Sequence, residues 1–580
     1  MCLKKLFVYF KGYGRECVLG PLFKLLEASF ELIIPLIVAS IIDRGIASGD
    51  GGHVARMVLC MAALGLVGLL AAVTAQYFAA KAAISFSTRL RHALMAHIQT
   101  LSYTELDTLG TSTLITRMTS DVNQVQSGVN MCLRLLLRSP FVVFGAMVMA
   151  FTIDVRCALI FAAVIAVLCV IVFSIMLVTI PKYRAVQGQL DSVTAATREN
   201  LNGVRVLRAF CKEDAETEKF ARRNQLLTRM QLAVGRISAS MNPLTYVVIN
   251  AAVIALIHSG AVRVQLGSLT QGEVIALYNY MSQILVELVK MANLIILLTK
   301  AWACGDRISA VLDVQPSQTD GVAAFVAPGE RGSVVFEDVS LRYKGAGADA
   351  LEHVSFSARP GETIGVIGGT GSGKSTLVSL IPRFYDATGG CVRVGGVDVR
   401  ELKKDVLRDA VAVVPQKAVL FKGTIRSNLL WGNENASEQD LLDALTTAQA
   451  LDVVEAKPGR LDEPVEQGGR NFSGGQRQRL TIARALVKKP DILILDDSAS
   501  ALDYATDASL RRAIRQMDSR PTTFIVSQRA SSVRFADQII VLDDGCVVGI
   551  GTHDALLASC PVYQEIYASQ YGKEEAVPRG

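Results

Sequence analysis

The chain has 580 residues, of which 51% are hydrophobic, and a formal net charge of +6. That length allows about two to four domains, and the apolar share is high for a chain that meets no bilayer. Much of the excess positive charge lies beside the apolar runs, which reads as membrane orientation and excludes a nucleic-acid stripe, so no nucleic-acid partner is expected. The eleven cysteines include no CxxC pair and no His-spaced cluster, so they read as small buried apolar residues, not as disulfides or metal ligands.

The N-terminus is basic at Lys4, Lys5, Lys11 and Arg15. The first apolar run, about residues 17–42, is too long for a signal core and is expected to stay as a membrane helix. Six stretches have the ~20 apolar residues that a span requires, near 17–42, 54–80, 128–153, 157–180, 238–262 and 273–300. The gaps at 43–53, 154–156 and 263–272 are short; those at 81–127 and 181–237 are long. Both long gaps are rich in Lys and Arg, among them Arg89, Arg117, Arg184, Arg208 and Arg222, which places them and both termini in the cytoplasm of a multi-pass cell (plasma) membrane protein. Each long gap is expected to run as helix out of the membrane, a break, and helix back, with breaks near Gly110–Asp121 and Asn202–Asp214.

Polar residues inside spans are costly and therefore informative. On the sixth stretch Asn279, Gln283, Glu287, Lys290 and Asn293 recur at helical spacing on one face; Lys24, Glu27 and Glu31 do so on the first, and Arg134 and Arg138 form an i, i+4 pair on the third. Two readings stand: a water-filled cavity that contacts cargo, or polar glue between helices with Glu287 and Lys290 neutralising each other.

After residue 330 the apolar residues return as short, strand-sized blocks. Gly368-Gly369-Thr370-Gly371-Ser372-Gly373-Lys374-Ser375-Thr376 follows the apolar strand Thr363–Ile367 and precedes a helical segment, the context a phosphate loop requires. Its backbone N–H groups wrap phosphates, Lys374 reaches the β and γ phosphates, and the Ser375 hydroxyl ligates Mg²⁺. Gln416 follows another apolar strand and is a candidate γ-phosphate sensor or member of the metal shell. In Asn471-Phe-Ser473-Gly474-Gly475-Gln476-Arg477 a Ser-Gly-Gly turn opens a helix, itself an anion site. Asp491-Ile-Leu-Ile-Leu-Asp496-Asp497 is an apolar strand running into two carboxylates, and Asp496 is placed to hold Mg²⁺.

In this order the motifs resemble those of ATP-binding cassette (ABC) transporters of the exporter type, and the resemblance covers nearly the whole chain. It implies an α-helical membrane domain of six transmembrane helices at 1–310, a linker at 311–332, an α/β P-loop NTPase (ABC) domain at 333–572 and a tail at 573–580. Tyr343 looks like the aromatic that stacks on adenine, Ser473–Gln476 like the signature that completes a partner chain's ATP site, and Ser500-Ala-Leu-Asp503 like the loop crossing the cassette dimer. Gly110–Asp121 and Glu199–Phe210 look like the two cytoplasmic coupling segments. One chain with six spans and one cassette is half a transporter, so a second half-transporter chain, ATP, Mg²⁺ and membrane lipid are implied.

Two positions depart from the family pattern. The general base directly after the Mg²⁺-holding Asp is Glu in the family and Asp497 here; the switch His is replaced by Gln528. Asp places its carboxylate one methylene short, and a displacement on the order of 1 Å can cost ~100-fold in rate. Gln can hydrogen-bond the γ-phosphate but cannot carry the charge available to His. The site on this phosphate loop is therefore expected to bind Mg·ATP and hydrolyse it slowly. Such asymmetry is similar to that of bacterial heterodimeric multidrug exporters, implying a non-identical partner and amphipathic cargo such as drugs or lipids. A homodimer with two slow sites, a nucleotide-gated channel or regulator on the same fold, and an importer on this scaffold remain open.

Overall fold

A computed structural model describes residues 6–325, 330–498 and 500–571. Lys4, Lys5 and the tail at 573–580 lie outside the described residues. The chain divides into two compact units, Met1–Gln99 with Ser112–Val314, and Thr100–Thr111 with Gln315–Gly580.

The described residues hold six helices long and apolar enough to cross a membrane, nearly all within the first unit: Gly14–Ile46, Gly51–Thr100, Thr111–Ile153, Val155–Asn202, Glu213–Gln265 and Gln271–Leu312. Each contains one of the six stretches read from the sequence, but most are far longer. The second has 50 residues and the fourth 48. At about 1.5 Å per residue these exceed the ~30 Å hydrocarbon layer more than twofold, so their polar ends continue as helix in water. Where the third and fourth helices meet, Asp154 accepts a 2.8 Å hydrogen bond from the Cys157 N–H, capping the fourth, and pairs with Arg263 of the fifth.

Helices in lipid gain nothing from hiding apolar surface from water, so close approach of small residues sets their packing. Ala71, Ala75, Ala79, Ala82 and Ala83 form a buried stripe on the second helix, while Leu59, Leu66, Leu69 and Val73 are exposed. Where the third helix meets the sixth, a Cβ on Gly128 would sit 2.3 Å from the Ala301 Cβ, so only glycine fits.

The first break outside the spans lies earlier than the predicted Gly110–Asp121. Ser102 and Glu105 form a capping box, the Ser102 N–H donating to Glu105 Oε2 at 3.2 Å, and start a short helix α1 (Tyr103–Leu109). Gly110, at φ 74°, ends it. Arg117–Asp121 is a π turn inside the rising third helix, not a break. There the buried Asp121 accepts from Arg307 at 2.6 and 3.0 Å and from Arg117 at 2.8 Å. The second break falls at Gly203 and is followed by α2 (Val204–Ala209), around which Leu201, Val206 and Phe210 are exposed.

The second unit is built on β1 (Val334–Leu341), β2 (Leu351–Ala358), β3 (Thr363–Gly368), β4 (Gly389–Val394), β5 (Val397–Asp398), β6 (Val411–Val414), β7 (Ile492–Asp496), β8 (Thr522–Val526), β9 (Gln538–Asp543) and β10 (Cys546–Gly551). A four-stranded antiparallel sheet runs β2-β1-β4-β5, and a six-stranded sheet runs β10-β9-β3-β8-β7-β6, parallel except at its β10 edge. Every residue of β3 and β8 is buried, as parallel strands covered on both faces require. In this register β3, β6, β7 and β8 end side by side, with Val526 beside Asp496 and Val414 beside Leu495. Loops at that carboxyl edge are where open parallel sheets bind ligands.

Candidate functional site

The phosphate loop leaves β3 at Gly368 and enters α3 (Lys374–Leu380). Gly371 and Gly373 sit at φ 86° and 92°, conformations that L side chains rarely adopt, and such turns suit a backbone that wraps phosphate. Lys374 folds back onto the loop, donating to the Gly368 carbonyl at 3.0 Å, to the Gly369 carbonyl, and to Ser372 Oγ at 3.3 Å. Burial pushes its ammonium pKa down, opposed by Asp497 and Asp496. These carbonyls hold the charge in place where arriving phosphate would take it over. Thr370 and Thr376 flank the loop, and Thr376 Oγ1 accepts from the Tyr343 hydroxyl at 3.1 Å.

Ser375 Oγ donates to Asp496 Oδ1 at 2.8 Å, bringing together the hydroxyl and carboxylate predicted to share a cation. An all-oxygen set of this kind suits Mg²⁺, and Ser375, Asp496 and Gln416 are the side chains that would hold it. The ion supplies neutralisation of phosphate charge. Burial, with the Asp497 charge adding to it, raises the Asp496 carboxyl above the usual aspartate range, against the hydrogen bond from Ser375. The neutral form thus persists to higher pH, and metal affinity, full above the raised pKa, is lost as pH falls through it. Titration calorimetry of Mg·ATP binding is expected to show affinity falling at a higher pH than an ordinary aspartate would give, and Asp496→Asn to remove that dependence.

Asp497 sits at φ 46°, a left-handed conformation that Asp tolerates better than most residues. Its N–H donates to the Val526 carbonyl at 3.0 Å, and its Oδ2 accepts from Gln416 Nε2 at 3.3 Å. Gln416, Asp496 and Asp497 are therefore brought together. Gln528, two residues past the end of β8, is exposed; its carbonyl accepts from Gln570 at 2.8 Å, while the Ala530 N–H donates to Gln570 Oε1 at 2.9 Å. Gln570, on the C-terminal helix, thus fixes the backbone of the switch segment, a role no local sequence signal announced.

Ser473 caps α4 (Gly474–Val487) in a reciprocal box with Gln476: Ser473 N–H to Gln476 Oε1 at 3.0 Å, and Gln476 N–H to Ser473 Oγ at 3.3 Å. The helix N-terminus behind Ser473, Gly474 and Gly475 provides the positive end an anion needs. A Cβ on Gly475 would lie 3.1 Å from the Ala501 carbonyl, so the signature touches the Ser500–Asp503 loop.

Tyr343 meets Tyr385 edge to face, centroids 5.1 Å apart, and Tyr385 donates to Asp107 of α1 at 2.6 Å. Tyr103 of α1 packs on Phe384 at 4.7 Å. These residues were not singled out from the sequence, although Ser102-x-x-Glu105 is a legible capping signal. They form a file from the expected adenine platform to α1. Burial and the Asp107 carboxylate hold the Tyr385 phenol well above its ordinary pKa, so it stays a donor. Tyr385→Phe is expected to leave ATP affinity unchanged while cargo no longer stimulates ATPase, measured in proteoliposomes.

In the membrane unit a cavity of about 510 Å³ is lined by Glu31, Arg138, Asn279, Gln283, Glu287 and Lys290, among others. Arg138 bridges Glu287 at 2.5 Å and Glu31 at 2.6 Å, and Lys290 donates to Glu287 at 2.9 Å. Glu287 is therefore shared between Lys290 and a third-helix arginine 149 residues away in sequence. Lys24 pairs with Glu27 at 2.5 Å, apart from that lining.

Residues 17–288 match the ABC transporter transmembrane region and residues 351–500 match the ABC transporter family. An uncharacterised ABC transporter ATP-binding protein of Mycobacterium tuberculosis is 38% identical over 98% of each chain. An ATP-dependent lipid A-core flippase of Chromobacterium violaceum is 28% identical over 99% of this chain and 98% of its own. The solved structure of a bacterial Atm1-family ABC exporter with ATP bound superposes with a TM-score of 0.80 at 22% identity, covering 97% of this chain and 99% of that one. With one membrane region and one ATP-binding cassette, the chain belongs to the ABC transporter family as a half-transporter, a multi-pass membrane protein that couples ATP hydrolysis to transport.

Proposed function

We propose that this chain is the slow-hydrolysing half of a heterodimeric exporter that moves amphipathic compounds, drugs or lipids, out of the cytoplasm. The exporter fold dimerises, and each ATP lies between one chain's phosphate loop and the other's signature. On this reading Tyr343 and Gly368–Thr376 hold ATP, Ser375, Asp496 and Gln416 hold Mg²⁺, and Ser473–Gln476 complete the partner's site. The observation that carries the reading is Asp497. Its short carboxylate is directed to Gln416 at the place where a general base is required. The named flippase relative supports a lipid-like cargo, and the charged cavity supports a polar group on it.

Closure of the cassettes on ATP turns the cavity outward, and hydrolysis at the partner's site resets it. The exposed apolar residues around α2 suit docking on the partner's cassette. Both termini are cytoplasmic and the membrane is the cell membrane. Measuring ATPase of the purified chain tests the asymmetry: low turnover that Asp497→Asn barely changes supports it, and robust turnover that this substitution abolishes overturns it. ATP-dependent dye accumulation in inverted vesicles supports export; single-channel current in its place favours a gated channel.

A further inference from the structure

Four charged side chains on three membrane helices form a file of alternating sign, Glu31, Arg138, Glu287, Lys290, with successive contacts of 2.6, 2.5 and 2.9 Å. Its inner members are closed off. The Arg138 side chain is 6% exposed and that of Glu287 4%, and Ser139 donates to the second Glu287 oxygen at 2.8 Å. Its ends are open. Glu31 is 40% exposed and Lys290 44%, both on the cavity wall. Lys290 has three N–H donors and gives one to Glu287. Two further polar atoms of the wall, Arg138 Nε and Gln283 Oε1, are buried without a hydrogen-bond partner.

A file that served only to pin helices would be closed at its ends as well, whereas here each end keeps charge and hydrogen-bonding capacity facing the cavity. The pattern facing the cavity is one anionic end and one cationic end. A lone cation gains at Glu31 and is repelled at Lys290; a lone anion does the reverse. A ligand carrying both signs gains at both. Ile34, Pro35, Val142 and Val286 line the same cavity and offer an apolar bed beside the charges.

Building on the export reading, we infer that this cavity recognises an amphiphile with a zwitterionic headgroup. The ammonium of the headgroup lies on Glu31, its phosphate or carboxylate on Lys290, and its hydrocarbon on the apolar residues. The shared chemistry is that of an amino-phospholipid or of a single-chain zwitterion.

The test is binding to the purified full-length chain in dodecyl maltoside, followed by native mass spectrometry. The probes are didecanoyl phosphatidylethanolamine, didecanoyl phosphatidylglycerol and dodecylphosphocholine. The phosphatidylethanolamine is expected to bind at least ~10-fold tighter than the phosphatidylglycerol, the worth of one charge-assisted hydrogen bond. Glu31→Gln abolishes that preference without weakening the phosphatidylglycerol, and Lys290→Gln weakens both. Competition by dodecylphosphocholine, whose quaternary ammonium has no N–H, supports recognition of the paired charges themselves; its failure beside tight phosphatidylethanolamine binding supports recognition through the N–H donor or of the two-chain lipid. ATP binding in the same samples reports folding. Equal binding of the two lipids, no binding, or a preference that survives Glu31→Gln overturns the inference. If dye accumulation persists in that case, export stands without it; if selectivity is present and accumulation is absent, export fails alone.

Discussion

Asp497→Glu combined with Gln528→His is expected to raise ATP turnover at this chain's own site by on the order of 100-fold. The measurement is ATPase of the assembled transporter after the partner's general base has been replaced, so that all remaining turnover comes from this site. The surroundings admit both side chains, although Glu meets more strain than Asp at the left-handed φ of 46°. Asp497 follows directly on β7, its backbone held by the Val526 carbonyl, and Glu in its place extends the carboxylate by about the length of a C–C bond beyond Gln416. The Gln528 backbone is fixed by Gln570 while its side chain is exposed, so His enters without displacing packed atoms. A positively charged His then faces the γ-phosphate where Gln offers only a neutral hydrogen bond. A rate that does not rise would place the deficit elsewhere in the cassette.

The second large effect runs the other way. Ser473→Arg is expected to lower turnover of the assembled transporter by roughly 10²–10³-fold, the usual cost of losing a donor aimed at transition-state charge. Ser473 has two tasks. It caps α4 through Gln476, worth about 1 kcal/mol, and on the proposed reading its hydroxyl at the helix N-terminus serves the partner's ATP. On the proposed heterodimer, in which this signature serves the partner's site, the loss falls on the competent half. Asp497→Asn, in this chain's own site, costs little in the same assay. A symmetric result, with both substitutions equally damaging, would point to two equivalent sites.

Much of this arrangement is legible in the chain because its signals are local. Apolar runs of membrane length mark the six spans, and strand, glycine loop and helix succeed one another around Lys374. Asp496 ends one buried strand and Gln416 lies two residues past another, and the parallel register brings those strand ends together. What was not legible depends on distance. Arg138 finds Glu287 across 149 residues, so the sequence offered only the nearer Lys290 as its partner. Tyr385 meets Asp107 across 278 residues. The first break lies before the expected Gly110–Asp121, and the start at Ser102 and the stop at Gly110 follow from capping chemistry. Gln570, on a helix with no motif, holds the switch segment through a contact that only the packed cassette reveals.

Slow hydrolysis at this chain's own site is the proposed property that decides the fate of its ATP. It is tested most directly by loading the purified full-length chain in proteoliposomes with Mg·ATP labelled at the γ-phosphate and separating the bound nucleotide over time. The account predicts nucleotide recovered mainly as intact ATP, at a rate of loss that Asp497→Asn does not change. Prompt recovery as ADP and phosphate, stopped by that substitution, would contradict it.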